Sequence, residues 1–222
     1  MRGVLLILKL VAAIALLCGA ARLANADEIE VREARLDEAD EGIVLNAEFA
    51  FDFSSRLAQA VASGVPLYFL AEFELTRPRW YWFDEKAAAR RQHIRLSYHA
   101  ISRQYRLSTG TLQQSFASVA EALAVLRRLR NWLVLERGAA LSDADYQARV
   151  RLRLDLSLLP KPFQVSALTS SELRLESDWR RFDFRPSPTF LAMQPMPERV
   201  PDKPETPERG TAAGASEEAV VR

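Results

Sequence analysis

A chain of 222 residues with 30 Lys and Arg against 29 Asp and Glu has a formal charge of +1, which gives no electrostatic basis for bulk nucleic-acid binding. It has one cysteine, so no intramolecular disulfide can brace it and stability has to come from a packed core.

At the N-terminus, Arg2 and Lys9 precede an unbroken apolar run from Leu10 to Ala21, followed by Ala24-Asn25-Ala26 with small residues where signal peptidase reads. This order predicts a cleaved signal peptide over residues 1–26, and so an exported, periplasmic protein. The run is shorter than the roughly 20 residues a spanning helix needs, which makes a retained N-terminal membrane anchor the weaker reading. Cys18 lies inside the run after Leu17, a poor setting for acylation. Cleavage removes that only thiol and three of the 30 basic residues (Arg2, Lys9, Arg22) but no acid, so 27 then face 29 and the formal charge becomes −2.

Ile29 and Val31 open a first strand whose apolar parity shifts at Ala34 and Leu36, as a bulge would produce. Asp37 to Gly42 supply a turn, and Ile43, Leu45, Ala47, Phe49, Phe51 and Phe53 alternate with more polar neighbours along a second strand, predicting a hairpin. Ser54 or Ser55 caps a short crossover helix carrying Leu57, Ala58 and Val61, with Gly64 as its stop. Leu67 to Leu75 alternate as a third strand, which Pro78 interrupts before Trp80-Tyr81-Trp82-Phe83. Asp84 to Arg91 read as a polar, alanine-rich connection, and Ile94-Leu96-Tyr98 with Tyr105-Leu107 as a second hairpin.

Ser118 and Glu121 form a capping box in which the carboxylate reaches the Ser118 amide, and Val119, Ala122, Leu123, Leu126, Leu129 and Leu133 fall at helical spacing. They predict the principal helix, with Arg127, Arg128 and Arg130 near its C-terminal end. Tyr146 to Leu156 alternate cleanly as a strand that Leu159-Pro160-Lys161-Pro162 ends, and Leu173–Glu176 and Trp179–Phe184 are the last strands. Seven of the eleven prolines fall in residues 186–222, which predicts a disordered Pro-rich tail after one domain at 27–185. Strands with one wetted face outnumber helices. The expected fold is mainly β: an antiparallel β-sandwich of immunoglobulin-like character with one principal α-helix and a short crossover helix.

The segments Gly64-Val65-Pro66-Leu67-Tyr68-Phe69, Arg79-Trp80-Tyr81-Trp82, Leu96-Ser97-Tyr98 with Tyr105-Arg106, Tyr146 with Val150-Arg151-Leu152-Arg153-Leu154, Leu158-Leu159-Pro160-Lys161-Pro162 and Ser177-Asp178-Trp179 follow one another in an order and spacing that span almost the whole domain. In them the chain resembles the exported proteobacterial domain family DUF4390. The resemblance implies a small exported protein whose gene often lies beside that of a membrane sensor histidine kinase, and it supplies no catalytic residue or cofactor.

Among residues with chemical potential, His93 and His99 stand six apart on one segment with no nucleophile motif near them, and read as exposed strand residues. Asp37, Glu38, Asp40 and Glu41 lack the spacing of a calcium loop and read as a solvated hairpin tip. Glu72 and Glu74 share a strand face and could serve as paired carboxylates, though the simpler reading has them facing water. Two surfaces point to binding. A strand continued from Leu67 would expose Trp80 and Trp82 beside Arg79, unless a bulge at Pro78 returns both indoles to the core. Arg149, Arg151 and Arg153 form a stripe on one side of their strand, suited to an acidic partner or lipid headgroups unless neighbouring acids neutralise it.

The expected function is therefore a non-catalytic binding or accessory module of the bacterial envelope without cofactor or metal. Its partner would be an envelope or inner-membrane protein such as the sensor kinase, reached through Arg79, Trp80, Trp82, Arg149, Arg151 and Arg153, with membrane-surface contact allowed and no nucleic acid. The alternatives are a carbohydrate- or lipid-binding envelope module and, more remotely, an enzyme using Glu72 and Glu74.

Overall fold

A computed structural model describes residues 29–192 except 80, 82–83, 138, 140 and 170–172. The predicted leader over residues 1–26 and the indoles of Trp80 and Trp82 lie outside the described residues. The predicted first hairpin is present as β1 (Glu30–Ala39) and β2 (Gly42–Ala50), with the register shift at Val31/Glu33 that the change of parity requires. Gly42 has φ +146°, and a Cβ there would lie 2.0 Å from the Leu135 carbonyl oxygen, so only glycine admits so close a backbone.

β2 pairs on its other side with β7 (Arg128–Glu136), which corrects the predicted principal helix. The helix, α2 (Val119–Leu126), stops after eight residues. Ser118 Oγ accepts from the Glu121 amide at 3.2 Å, while the Glu121 carboxylate takes the amide of Ala117, one residue before the one expected. At the C-terminal end Arg127 turns its guanidinium onto the Phe51 carbonyl (Nε 2.9 Å) and Asp52 (2.8 Å), and its own carbonyl accepts from the Phe49 amide at 2.8 Å. From there the open edge of β2 captures the chain, and sheet pairing overrides a local helical spacing. Arg128 and Arg130 thus stand on a strand, not at a helix end. Asn131, at φ +51°, bends β7 where Asn46 of β2 accepts its amide at 3.0 Å, and the Asn46 side-chain amide donates to Asp37 of β1 at 2.7 Å. One buried asparagine links all three strands.

The second sheet has the order β6-β5-β4-β3-β8-β9 and is antiparallel throughout. Its strands are β3 (Leu67–Arg77), β4 (Glu85–His99), β5 (Gln104–Thr109), β6 (Leu112–Phe116), β8 (Tyr146–Leu154) and β9 (Arg180–Phe184). β4 corrects the predicted polar connection: residues 85–91 continue the ladder on β3 as far as Arg77 opposite Glu85. Their charges hide the strand because they are matched on neighbouring strands and on the other sheet, as with Arg90, which reaches Glu136 of β7 at 3.2 Å in an exposed pair.

Phe69, Ala71, Phe73 and Leu75 of β3 and Ile43, Leu45, Ala47 and Phe49 of β2 are buried in one hydrophobic cluster shared by the two sheets. Phe73 meets Trp132 of β7 edge to face with centroids 6.5 Å apart. The fold is thus mainly β, two antiparallel sheets around a common core. α1 (Ser55–Ala62) is the expected crossover helix, capped by Ser54 Oγ on the Leu57 amide, and buries Leu57, Ala60 and Val61. A further helix, α3 (Lys161–Thr169), follows Pro160, with Pro162 in the first turn, where the missing amide is not needed. Of the last two predicted strands, 173–176 forms only a bridge between Glu176 and Arg153, while β9 pairs with β8.

Ordered structure also runs beyond the expected boundary at residue 185. Ser187 donates to Glu38 through its amide and hydroxyl, both at 2.6 Å, and α4 (Pro188–Ala192) buries Phe190. The apolar Phe190 outweighs the prolines around it. Residues 193–222 lie outside the described residues. No helix among the described residues is long and apolar enough to cross a membrane.

Candidate functional site

Alternation along β3 sends Glu72 and Glu74 to the face opposite the core, where β8 delivers Arg151 and Arg149 directly across from them. Glu72 receives Arg151 Nε at 2.7 Å, Arg153 Nε at 3.2 Å and, from β4, Arg91 Nε at 3.1 Å, and its side chain is only 5 % exposed. Glu74 receives Nε of Arg149 at 2.9 Å and Lys86 Nζ at 3.4 Å. These glutamates do not face water. The neighbouring acids that would neutralise the arginine stripe lie on the adjacent strand, and they pair with all three of its arginines.

Burial works to raise the pKa of Glu72, but the hydrogen bonds from Arg153 and Arg151 and their charges outweigh it and leave the carboxyl below its ordinary range. Glu74 behaves alike: burial raises it, and the hydrogen bond and charge of Arg149 and the charge of Lys86 bring it down. Carboxylates held ionised in this way are poor proton donors at neutral pH, so neither suits the general-acid role that a paired-carboxylate mechanism assigns.

The stripe has a second layer. Trp179, immediately before β9, lies under two guanidiniums at once, with Cζ of Arg149 4.7 Å and Cζ of Arg151 4.6 Å from its ring. Five cations (Lys86, Arg91, Arg149, Arg151, Arg153) therefore surround two carboxylates and one indole, and the face keeps a positive excess. Sequence reasoning missed Trp179, Arg91 and Lys86. The signal for Trp179 was its parity with Arg181, which lies opposite Arg149 on β9.

At one end of the stripe Arg153 opens onto a cleft of about 340 Å³ shared with Asp155, Ser157, Arg174 and Glu176. Asp155 accepts from the Ser157 hydroxyl at 2.6 Å and its amide at 3.1 Å and faces His93 Nε2 at 3.6 Å. Burial would raise its pKa, but the Ser157 bonds and the charge of Arg153 lower it. His99 stands at the far end of β4, six positions from His93, where its Nδ1 meets Ser102 at 3.0 Å, so the two histidines do not converge. Arg79 is not part of the stripe. It lies past the end of β3 in an ion pair with Glu85. Of the acidic hairpin, Asp37 bonds Arg35, Glu38 holds Ser187 and Asp40 faces Arg137, and no metal-binding group of residues occurs among the described residues.

Fold and site together define a two-sheet β protein that presents a braced arginine–carboxylate–tryptophan face. The chain belongs to the family described as a domain of unknown function, DUF4390, whose sequence model matches residues 26–183. Comparison with curated proteins and with solved structures found no match.

Proposed function

We propose that the chain is an exported, non-catalytic binding or accessory module of the bacterial envelope that contacts an envelope or inner-membrane protein, such as a membrane sensor histidine kinase. The contact would be made through the outer face of the six-stranded sheet. The observation that carries this reading is Trp179 held beneath Arg149 and Arg151, whose partners Glu74 and Glu72 are themselves mostly buried. Tryptophan and arginine dominate binding hot spots, and side chains already fixed lose little entropy on association. Two guanidiniums on the Trp179 ring favour an acidic or carbonyl-rich protein surface over a sugar, which needs an open indole face.

Capture from detergent-solubilised envelope tests the reading. Wild type should retain a membrane protein that Trp179→Ala loses, and recovery of none, or equal recovery by both, would sink it. Export is part of the proposal, and N-terminal sequencing of the periplasmic protein should begin at Asp27. The shared core supports a sandwich, and its immunoglobulin-like character would be tested by a solved structure in which the two sheets pack at about 30°.

A further inference from the structure

Four strands form the edges of the two sheets: β1 and β7 in one, β6 and β9 in the other. Three carry charges that discourage pairing with another chain: Glu30, Arg35 and Asp37 among others on β1, Arg128, Arg130 and Glu136 on β7, and Arg180, Arg181 and Asp183 on β9. β6, Leu112-Gln113-Gln114-Ser115-Phe116, has no charge, no proline and no bulge in its pairing with β5. Four of its five residues are exposed, and Leu112 is 72 % exposed.

The hairpin that forms this edge fixes which groups are open. Thr109 pairs with Leu112 around the two-residue turn Gly110-Thr111, with Gly110 at φ +56°. The closing pair of such a turn is hydrogen-bonded and the pairs then alternate, so Gln114 turns its N–H and C=O toward β5 while Gln113 and Ser115 turn theirs outward. Among the described residues no hydrogen bond from outside the sheet reaches those outward groups. At Ala117 the amide is taken by Glu121, which ends the open stretch.

We propose that β6 is a self-association edge that pairs antiparallel with β6 of a second copy about a two-fold axis at Gln114. In that register Gln113 exchanges both hydrogen bonds with Ser115 of the other copy, twice by symmetry, and all the outward groups of both residues are satisfied. Gln114 meets its own copy as a non-hydrogen-bonded pair with Cα atoms about 4.5 Å apart. Leu112 falls opposite Phe116, so the most exposed apolar side chain of the strand is covered by the half-buried aromatic of the other copy. A self-pairing strand sets like residues near each other around the axis, and a strand without charges is the one edge here on which that carries no repulsion. This surface is separate from the arginine–tryptophan face, and either reading can fail alone.

The full chain with Cys18→Ser, which has no other cysteine, is the material for the test. Sedimentation equilibrium should show a concentration-dependent monomer–dimer system, and Gln113→Pro should shift it to monomer with an unchanged far-UV spectrum, because the lost N–H points away from β5. In a glutathione redox buffer Gln114→Cys should cross-link, its Cα spacing falling within the disulfide range of about 4.4–6.8 Å. Leu112→Cys should not, since the two copies of that residue lie about 14 Å apart along the strands. A monomer at every concentration, a dimer that survives Gln113→Pro, or Leu112→Cys cross-linking as fast as Gln114→Cys would each overturn the proposal. Should Gln113→Pro disturb the fold, the cysteine pair decides.

Discussion

Replacing Glu72 by Gln keeps the volume of the side chain and removes the charge at the centre of the stripe. Arg151 and Arg153 each make a charge-assisted bond, of order 1.5–3 kcal/mol where solvent is excluded. Their side chains are 29 % and 30 % exposed, so screening removes roughly half of that, and Arg91, at 73 %, contributes little. The expected loss is about 2 kcal/mol at neutral pH, which for a domain of this size is a fall in Tm of roughly 4–8 °C. The pH dependence gives the sign. Glu72 has a folded-state pKa below its ordinary 4.5, so its contribution is fully present above that value and is lost as pH falls toward the folded-state pKa. Urea unfolding of wild type and Glu72→Gln at neutral pH and near pH 3 should therefore give a difference that shrinks in acid. An equal difference at both pH values would mean that shape rather than charge is responsible, and a difference below about 0.5 kcal/mol at neutral pH would refute the bracing argument altogether.

Asn46→Ala should cost about 1–3 kcal/mol in urea unfolding, because it strips partners from the Asn131 amide and from Asp37 at once. Gly42→Ala should cost at least about 2 kcal/mol, combining a positive φ with a Cβ placed 2.0 Å from a backbone oxygen; a loss below 1 kcal/mol would show that β7 can step back. Phe190→Ala should lower the unfolding midpoint by the equivalent of about 2–4 kcal/mol if α4 is integral to the domain, and leave it unmoved if the domain ends at residue 185.

Where one face of a strand is apolar and the other polar, the sequence was a sufficient guide. β2, β3 and β8 and both predicted hairpins follow from period two, and even the bulge in β1 was visible as a change of parity, although β2 stops at Ala50, before the Phe51 and Phe53 expected on it, and β8 stops at Leu154, short of Leu156. The failures share a cause: the deciding partner lies far along the chain. Leu129 and Leu133 continue the helical spacing of Leu126, but the open edge of β2, some 80 residues earlier, makes a strand of them. The first half of β4 has charged residues where alternation should be, because Arg90 and Arg91 are matched by Glu136 and Glu72. Half of the candidate site was legible, since three arginines at period two must share a side. Which acids faced them, and that Trp179 lay beneath two of them, depended on the neighbours of β8 in the sheet.

The contact between Glu38 and Ser187 joins positions 149 apart, and the amide of Ile29 bonds the carbonyl of Glu176. The domain is thus fastened where its two ends meet. A chain that emerges N-terminus first, from a ribosome or through a membrane, has its first strand waiting for its last segment, and β2 and β3 waiting likewise for β7 and β8. High contact order of this kind slows folding and lengthens the time for which β2 and β3 remain unpaired on one side. β1 keeps one side open in the finished sheet as well, so the charges along it guard the growing chain and the folded domain alike against pairing with another molecule.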